Sequence, residues 1–126
     1  MKNKLSLSPL GHTWFFDIDG TIVKHNGYKI DGVDTLLPGV KTFWDCIPQE
    51  DTIILVTSRK SADKEMTEGF LQSQGIRFDT VIYDLPYGER IIVNDNKPSG
   101  LNMSIAMSLE RDHGLQDQIT EIDHSL

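Results

Sequence analysis

Short apolar runs typical of β-strands alternate along this chain with segments whose apolar residues recur at helical spacing. The predicted strands cover residues 12–16, 52–56, 78–83 and 90–93. Three helices are predicted. The first begins after residue 39, the second begins near residue 61, and the third covers about residues 100–113. Strands that alternate with helices are typical of parallel βαβ units wound right-handedly. The pattern predicts an α/β fold, a Rossmann-like parallel sheet in three layers with helices on both faces.

The connecting segments carry turn and capping signals. Asn26-Gly27 lies between two short β-type runs, so residues 20–34 are predicted to form a small β-flap. Pro48 ends the first helix, Gly75 ends the second, and Ser99 is a candidate cap for the third. One domain, 1–126, is therefore predicted, with a core at about 12–114, a polar lead-in at 1–11 and a fraying polar tail at 115–126.

Composition narrows the possible partners and location. The 126 residues are 38% hydrophobic and 25% charged, as in an ordinary globular protein, and the net charge is −7. No basic block is present to neutralise phosphates, which argues against nucleic acid as a primary partner. No apolar run reaches the roughly 18 residues that a membrane span requires. The single cysteine, Cys46, fits a reducing cytosol, so we expect a cytoplasmic protein.

Two carboxylates follow the first strand at once, in Asp17-Ile18-Asp19-Gly20-Thr21. Two like charges beside a buried strand repel each other and are costly to desolvate, so the pair needs a reason. A hard cation such as Mg²⁺ or carboxylate-based catalysis would supply one. A plain turn would need a single Asp.

Polar residues also follow two later predicted strands, as Thr57-Ser58-Arg59 and as Asn94-Asp95. In a parallel sheet, ligands collect outside the carboxyl ends of the strands. The three groups are therefore expected to converge in space although they are far apart in sequence.

These motifs in this order resemble those of the haloacid dehalogenase superfamily, whose members are mostly Mg²⁺-dependent phosphatases. Asp17 to Thr21 matches the first motif in full, Thr57 matches the second, and Asn94-Asp95 approximates the fourth. The resemblance covers residues 12 to about 110. It implies a phosphomonoester hydrolase that works through an aspartyl-phosphate intermediate.

The residue types suit that chemistry. Asp17, directly at the strand end, is the candidate nucleophile, and Asp19 is the candidate acid and base, a role that needs a carboxyl with a raised pKa. The Thr57 hydroxyl, with Gly20, Thr21 and Ser58, is expected to hold the phosphoryl oxygens.

A bound Mg²⁺ would reconcile an anionic nucleophile with an anionic substrate. By resemblance, its ligands are the Asp17 side chain, the Asp19 carbonyl and Asp95. Asn94 stands beside them where the family often has an acid, which removes one charge from the metal site.

The family also uses a cation to balance charge around the phosphoryl group. Lys97 is preferred here because it lies just after Asp95, at the expected edge of the sheet. Arg90 remains an alternative, provided that its segment curls over the site. Arg59 is a third, although contact with substrate is the role expected for it.

The intervals between motifs leave no room for a cap domain, so the chain resembles capless members of the superfamily. Such members act on large exposed esters or use a neighbouring subunit as a lid. Short capless members are often phosphatases of sugar phosphates, and the resemblance implies a small phosphorylated substrate of that kind.

Three other functions stay open. A phospho-accepting receiver would place its phosphorylated Asp after a later strand. A non-catalytic phosphate- or Mg²⁺-binding module would not need Asp19, which is present. A phosphotransferase would need a second phosphate site, which the sequence does not mark.

Overall fold

The computed structural model describes residues 3–126, so the first two residues of the predicted lead-in lie outside it. Five strands form two parallel sheets, and a few helices accompany them, which confirms a mixed α/β fold with parallel strands. The strands are β1 (Asn3–Leu7), β2 (Thr13–Asp17), β3 (Thr52–Val56), β4 (Thr80–Ile82) and β5 (Gln118–Ile122). The helices are α1 (Gly27–Ile30), α2 (Val40–Asp45) and α3 (Lys64–Ser73), with a 3₁₀ turn at Ser61–Asp63 before α3.

The larger sheet has the order β2-β3-β4 with all strands parallel. β3 is central and rich in β-branched residues, and its Ile53 and Leu55 are fully buried on one face. In β2, Phe16 is buried whereas Phe15 is 50% exposed. A continuous apolar run such as that of β2 is typical of a strand buried on both faces, but β2 is not buried on both.

Helices α2 and α3 confirm the helical spacing of their apolar residues. Val40, Phe43 and Trp44 are buried, and Phe16 lies between the two aromatic rings at centroid distances of 6.2 and 4.3 Å. Leu71 of α3 is buried in the same core. Gly75, with φ at 72°, follows α3 in the left-handed conformation predicted for it.

Two predicted elements are absent from the structure. Residues 90–93 form no strand, and residues 100–113 form no helix. Ile91 is 83% exposed and Val93 is 91% exposed, so this β-branched run pairs with no neighbour in the described part of the chain. Pro98 and Gly100 interrupt the segment that follows, and Gly100 has φ at 96°.

Three further predictions were wrong: the β-flap, the polar lead-in without a strand and the fraying tail. Asn26 adopts φ at 53° and precedes the short helix α1 instead of a hairpin turn. The lead-in contains β1 and the tail contains β5, and these two strands pair in parallel from Asn3 opposite Gln118 to Leu7 opposite Ile122. Each of these strands pairs with a partner that is distant in sequence, so the local pattern of either segment does not predict a strand.

No helix within residues 3–126 is long and apolar enough to span a lipid bilayer.

Candidate active site

The first carboxylate of the motif lies at the carboxyl end of β2. Asp17 is the last residue of that strand and stands opposite Val56, the last residue of β3. Because the two strands are parallel, Asp19 and Thr57 continue beyond the same edge of the sheet. The convergence expected for these two strand ends is present in the structure.

A cleft of about 260 Å³ opens at this edge. Six of the residues singled out in the sequence line it, namely Asp17, Asp19, Thr57, Ser58, Arg59 and Arg90. The volume is slightly below the range usual for small-molecule pockets, which suits a small ligand.

Asp17 is partly exposed to the cleft and has two side-chain partners. Thr21 Oγ1 donates a hydrogen bond to Asp17 Oδ2 at 3.1 Å, and Arg90 donates from a guanidinium nitrogen to Oδ1 at 3.0 Å. Of the candidate cations, Arg90 therefore contacts the candidate nucleophile directly. The segment that carries it reaches the site without forming a strand.

Asp19 is held by Arg59 in a bidentate ion pair. The Arg59 Nε and one terminal nitrogen donate to the two carboxylate oxygens, both at 2.9 Å. The same guanidinium donates to both oxygens of Asp34, at 3.0 and 2.7 Å, and to Thr67 Oγ1 at 3.0 Å. All five of its N–H groups are thus bound within the protein, and none is free for the substrate contact expected from the sequence.

Burial explains why this arrangement needs two carboxylates. Arg59 is 4% exposed, and burial alone would lower the pKa of its guanidinium. Hydrogen bonds and charges from Asp19 and Asp34 outweigh that effect and raise the pKa, so Arg59 stays charged. The face of the guanidinium also lies 4.1 Å from the centre of the Tyr28 ring, a cation–π contact.

Thr57 is buried and its backbone is tied to the β4 side of the sheet. The backbone N–H of Thr57 donates to the Ile82 carbonyl at 3.0 Å, and its Oγ1 accepts from the backbone N–H of Arg59 at 3.0 Å. A hydroxyl can still donate when it accepts, so Thr57 keeps one donor for a phosphoryl oxygen. The Ser58 hydroxyl donates to the Pro86 carbonyl at 3.2 Å.

The structure does not bring the last predicted group to the cleft. Asn94, Asp95 and Lys97 are exposed and do not line it. The Asn94 amide donates to the Asp95 backbone carbonyl at 3.0 Å, a local contact. The geometric reason for preferring Lys97, its position after a fourth strand, disappears because residues 90–93 are not a strand.

The expected magnesium site is accordingly incomplete. Within residues 3–126, no group of three His, Cys, Asp or Glu side chains comes together as a metal would require. The oxygens of Asp17 are engaged by Arg90 and Thr21, and those of Asp19 by Arg59. Asp95 does not line the cleft. The residues of the cleft do not fit the predicted ligand set in this arrangement.

Six further residues line the cleft that the sequence did not mark, namely His25, Asn26, Tyr28, Lys29, Tyr87 and Arg111. The segment just after the motif supplies four of them, and proximity to Asp19 could have drawn attention to it. Arg111 has no local signal, because only the folded chain brings it near residue 20.

The charge of the cleft differs in sign from that of the whole chain. Lys29, Arg59, Arg90 and Arg111 line it together with two carboxylates. The buried carboxylate of Asp34 also binds Arg59, so the surplus is one positive charge. The chain as a whole carries a net charge of −7. A local positive surplus in an acidic protein favours an anionic ligand at this place.

Comparisons with known proteins assign this chain to no family: no protein-family model matches it, and no curated protein or solved structure matches it significantly.

Proposed function

We propose that the chain is a phosphomonoester hydrolase of the haloacid dehalogenase type, with Asp17 as the nucleophile. One observation carries the proposal: Asp17 and Asp19 lie with Thr57 at the carboxyl ends of adjacent parallel strands, in a cleft with surplus positive charge. A phosphate ester is a small anion that such a cleft would attract. No match to a known protein supports or opposes the assignment.

In the proposed reaction, an Asp17 oxygen attacks phosphorus and the bond from phosphorus to the leaving oxygen breaks. Asp19 donates a proton to that oxygen and later takes one from a water, whose oxygen attacks phosphorus. The bond from phosphorus to Asp17 then breaks, which releases inorganic phosphate and restores the Asp17 carboxylate. Arg90, beside Asp17, would neutralise charge on the phosphoryl oxygens, and Thr57 would donate a hydrogen bond to one of them. Arg90 replaces Lys97 in this role because of its 3.0 Å contact.

Magnesium remains part of the proposal as a requirement to be tested, and no step is assigned to it. The test is phosphate release from sugar phosphates, nucleotides and an activated aryl phosphate, with and without Mg²⁺. If no ester releases phosphate either with or without Mg²⁺, the hydrolase proposal is wrong.

The substitution Asp17→Asn tests the nucleophile. An amide does not attack phosphorus as a carboxylate does, so we expect phosphate release to fall by about three orders of magnitude or more. Asn has nearly the same shape as Asp, and the thermal unfolding transition should persist. Asp45→Asn, which alters an exposed carboxylate on α2, is the matched control and should keep full activity.

A second candidate function is a phosphate-binding module without turnover. The observation in its favour is that Arg59 engages both oxygens of Asp19, so this carboxylate anchors an arginine in the structure. Saturable binding of inorganic phosphate together with no release from any ester would support this module and exclude the hydrolase.

We also propose that the protein acts in the cytoplasm on a small sugar phosphate, without a cap domain of its own. The small volume of the cleft supports a small substrate.

A further inference from the structure

Two of the four cations in the cleft have no anionic partner. Arg59 is paired with Asp19 and Asp34, and Arg90 is paired with Asp17. Lys29 and Arg111 form no ion pair with any of residues 3–126. Their charges are therefore available to a ligand.

Arg111 is held against the loop that follows Asp19. Gly20 has φ at 85°, and a Cβ at this position would lie 3.1 Å from Cγ of Arg111. The neighbouring Asp112 donates its N–H to the Gly20 carbonyl at 2.9 Å and accepts from the His25 N–H at 2.7 Å. These contacts fix the backbone beside Arg111, which is exposed and lines the cleft.

Lys29 lies on the side of the cleft formed by Tyr28. Its ammonium is 5.6 Å from the centre of the Tyr28 ring, and the guanidinium of Arg59 is 4.1 Å from the same ring. Lys29 lines the cleft but forms no ion pair with either of the reacting carboxylates, Asp17 and Asp19. It is thus suited to the part of a ligand that does not react.

From these two free cations we infer that Lys29 and Arg111 form a subsite for a second anionic group on the substrate. The inference rests on the proposed hydrolase function and names its substrate class, a small phosphate ester whose leaving group carries a carboxylate or another phosphate. Arg90 accounts for the transferred phosphoryl group, and Arg59 is fully engaged. The two remaining cations match an anion at the other end of a short substrate.

The test uses a two-carbon series of esters whose terminal groups differ in charge: hydroxyethyl phosphate, phosphoglycolate, ethylene glycol bisphosphate and phosphoethanolamine. We expect kcat/KM to be about tenfold higher for at least one anionic tail than for the neutral tail, and lowest for the cationic tail. The better of the two anionic probes identifies the group as a carboxylate or a phosphate.

Lys29→Gln and Arg111→Gln should each reduce the ratio of anionic to neutral kcat/KM by about tenfold. Lys41→Gln, which removes an exposed cation on α2, should leave both the ratio and the activity unchanged. If the neutral and anionic tails react equally well, or if both variants lower both substrates by the same factor, the subsite does not exist.

Calorimetric titration of hydroxyethyl phosphate, phosphoglycolate and ethylene glycol bisphosphate separates this inference from the hydrolase proposal, because it measures binding and not turnover. One possible outcome is that no ester releases phosphate, but phosphoglycolate binds about tenfold more tightly than hydroxyethyl phosphate. In the same outcome, this difference in affinity is lost in Lys29→Gln and Arg111→Gln. The subsite would then stand and the hydrolase would fall. Equal affinities for hydroxyethyl phosphate, phosphoglycolate and ethylene glycol bisphosphate in the unaltered protein would overturn the subsite whatever the kinetics.

Discussion

Arg59 is the residue through which Asp19 and Asp34 share one positive charge. Its planar guanidinium uses five N–H donors on two carboxylates and one hydroxyl, a geometry that a lysine ammonium cannot reproduce. Asp34 itself does not line the cleft, yet it fixes the plane of the guanidinium that orients Asp19. Within the proposed mechanism, Arg59 is therefore a positioning residue for the acid and base.

Arg59→Lys tests this positioning role. The variant keeps the positive charge but has fewer N–H donors, so some of the hydrogen bonds to Asp34 and Thr67 are lost. We therefore expect kcat to fall by about tenfold or more. KM should change by less than about threefold, because Arg59 has no free donor for the substrate. Arg77→Lys, which alters an arginine bound to the Pro48 and Asp51 carbonyls, is the control. A loss confined to KM would show instead that Arg59 binds the substrate.

At the scale of secondary structure, a buried carboxylate joins the starts of β2 and β3. Asp51 accepts hydrogen bonds from the His12 N–H at 3.1 Å and the Trp14 Nε1 at 2.9 Å, and its Oδ2 lies 2.8 Å from the His12 ring. Burial alone would raise the pKa of Asp51. The hydrogen bonds from Trp14 and His12 outweigh it and hold the pKa below its usual range.

The lowered pKa of Asp51 gives a pH-dependent stability. A carboxyl whose pKa is depressed by folding stabilises the protein above its unfolded pKa of about 3.9, and this contribution is lost as the pH falls through the folded value. Asp51→Asn should therefore lower the free energy of unfolding by about 2 kcal/mol at neutral pH. The difference from the unaltered protein should shrink as the pH falls below the unfolded pKa of about 3.9.

Urea unfolding at neutral and at acid pH measures this difference. Asp45→Asn is the matched control, since an exposed i,i+4 pair contributes less than about 0.5 kcal/mol. A difference between Asp51→Asn and the unaltered protein that stays constant with pH would contradict the linkage.

The elements that the sequence predicted are those with strong local signals. β3 has a β-branched run, and α2 places Val40, Phe43 and Trp44 on one face, so neighbouring residues suffice to predict them. The run Ile91-Ile92-Val93 has the same local character as β3 but pairs with no strand in the described part of the chain. A strand needs a partner as well as a propensity, and the partner is not encoded in the run itself.

The residues of the site also divide into those that the sequence predicts and those that it does not. Asp17, Asp19 and Thr57 could be predicted because adjacent parallel strands bring their ends together, a rule that requires only the order of the strands. Arg111 could not, because a loop contact with Gly20 places it. The interior orientation of Arg59 depends on Asp34, whose burial no local pattern reveals.

At the scale of the whole molecule, the carboxyl-terminal segment is part of the folded unit. Leu115 is 2% exposed and lies in the core with residues of β2, β3 and α2, and its N–H donates to the Pro38 carbonyl at 2.9 Å. β5 follows and pairs with β1. Arg111, which lines the cleft, precedes Leu115 closely in sequence, so one short segment contributes to both the core and the proposed subsite.

Leu115→Ala measures how much this connection contributes to stability. Removing a fully buried leucine side chain leaves a cavity, and we expect the free energy of unfolding to fall by about 3 kcal/mol. Ile119→Ala is the matched control because Ile119, in β5, is 41% exposed and should cost about 1 kcal/mol or less. Chemical denaturation followed by tryptophan fluorescence reports the global transition, since Trp14 and Trp44 pack against this core. If the carboxyl-terminal segment were a frayed tail, both variants would unfold at the same denaturant concentration as the unaltered protein.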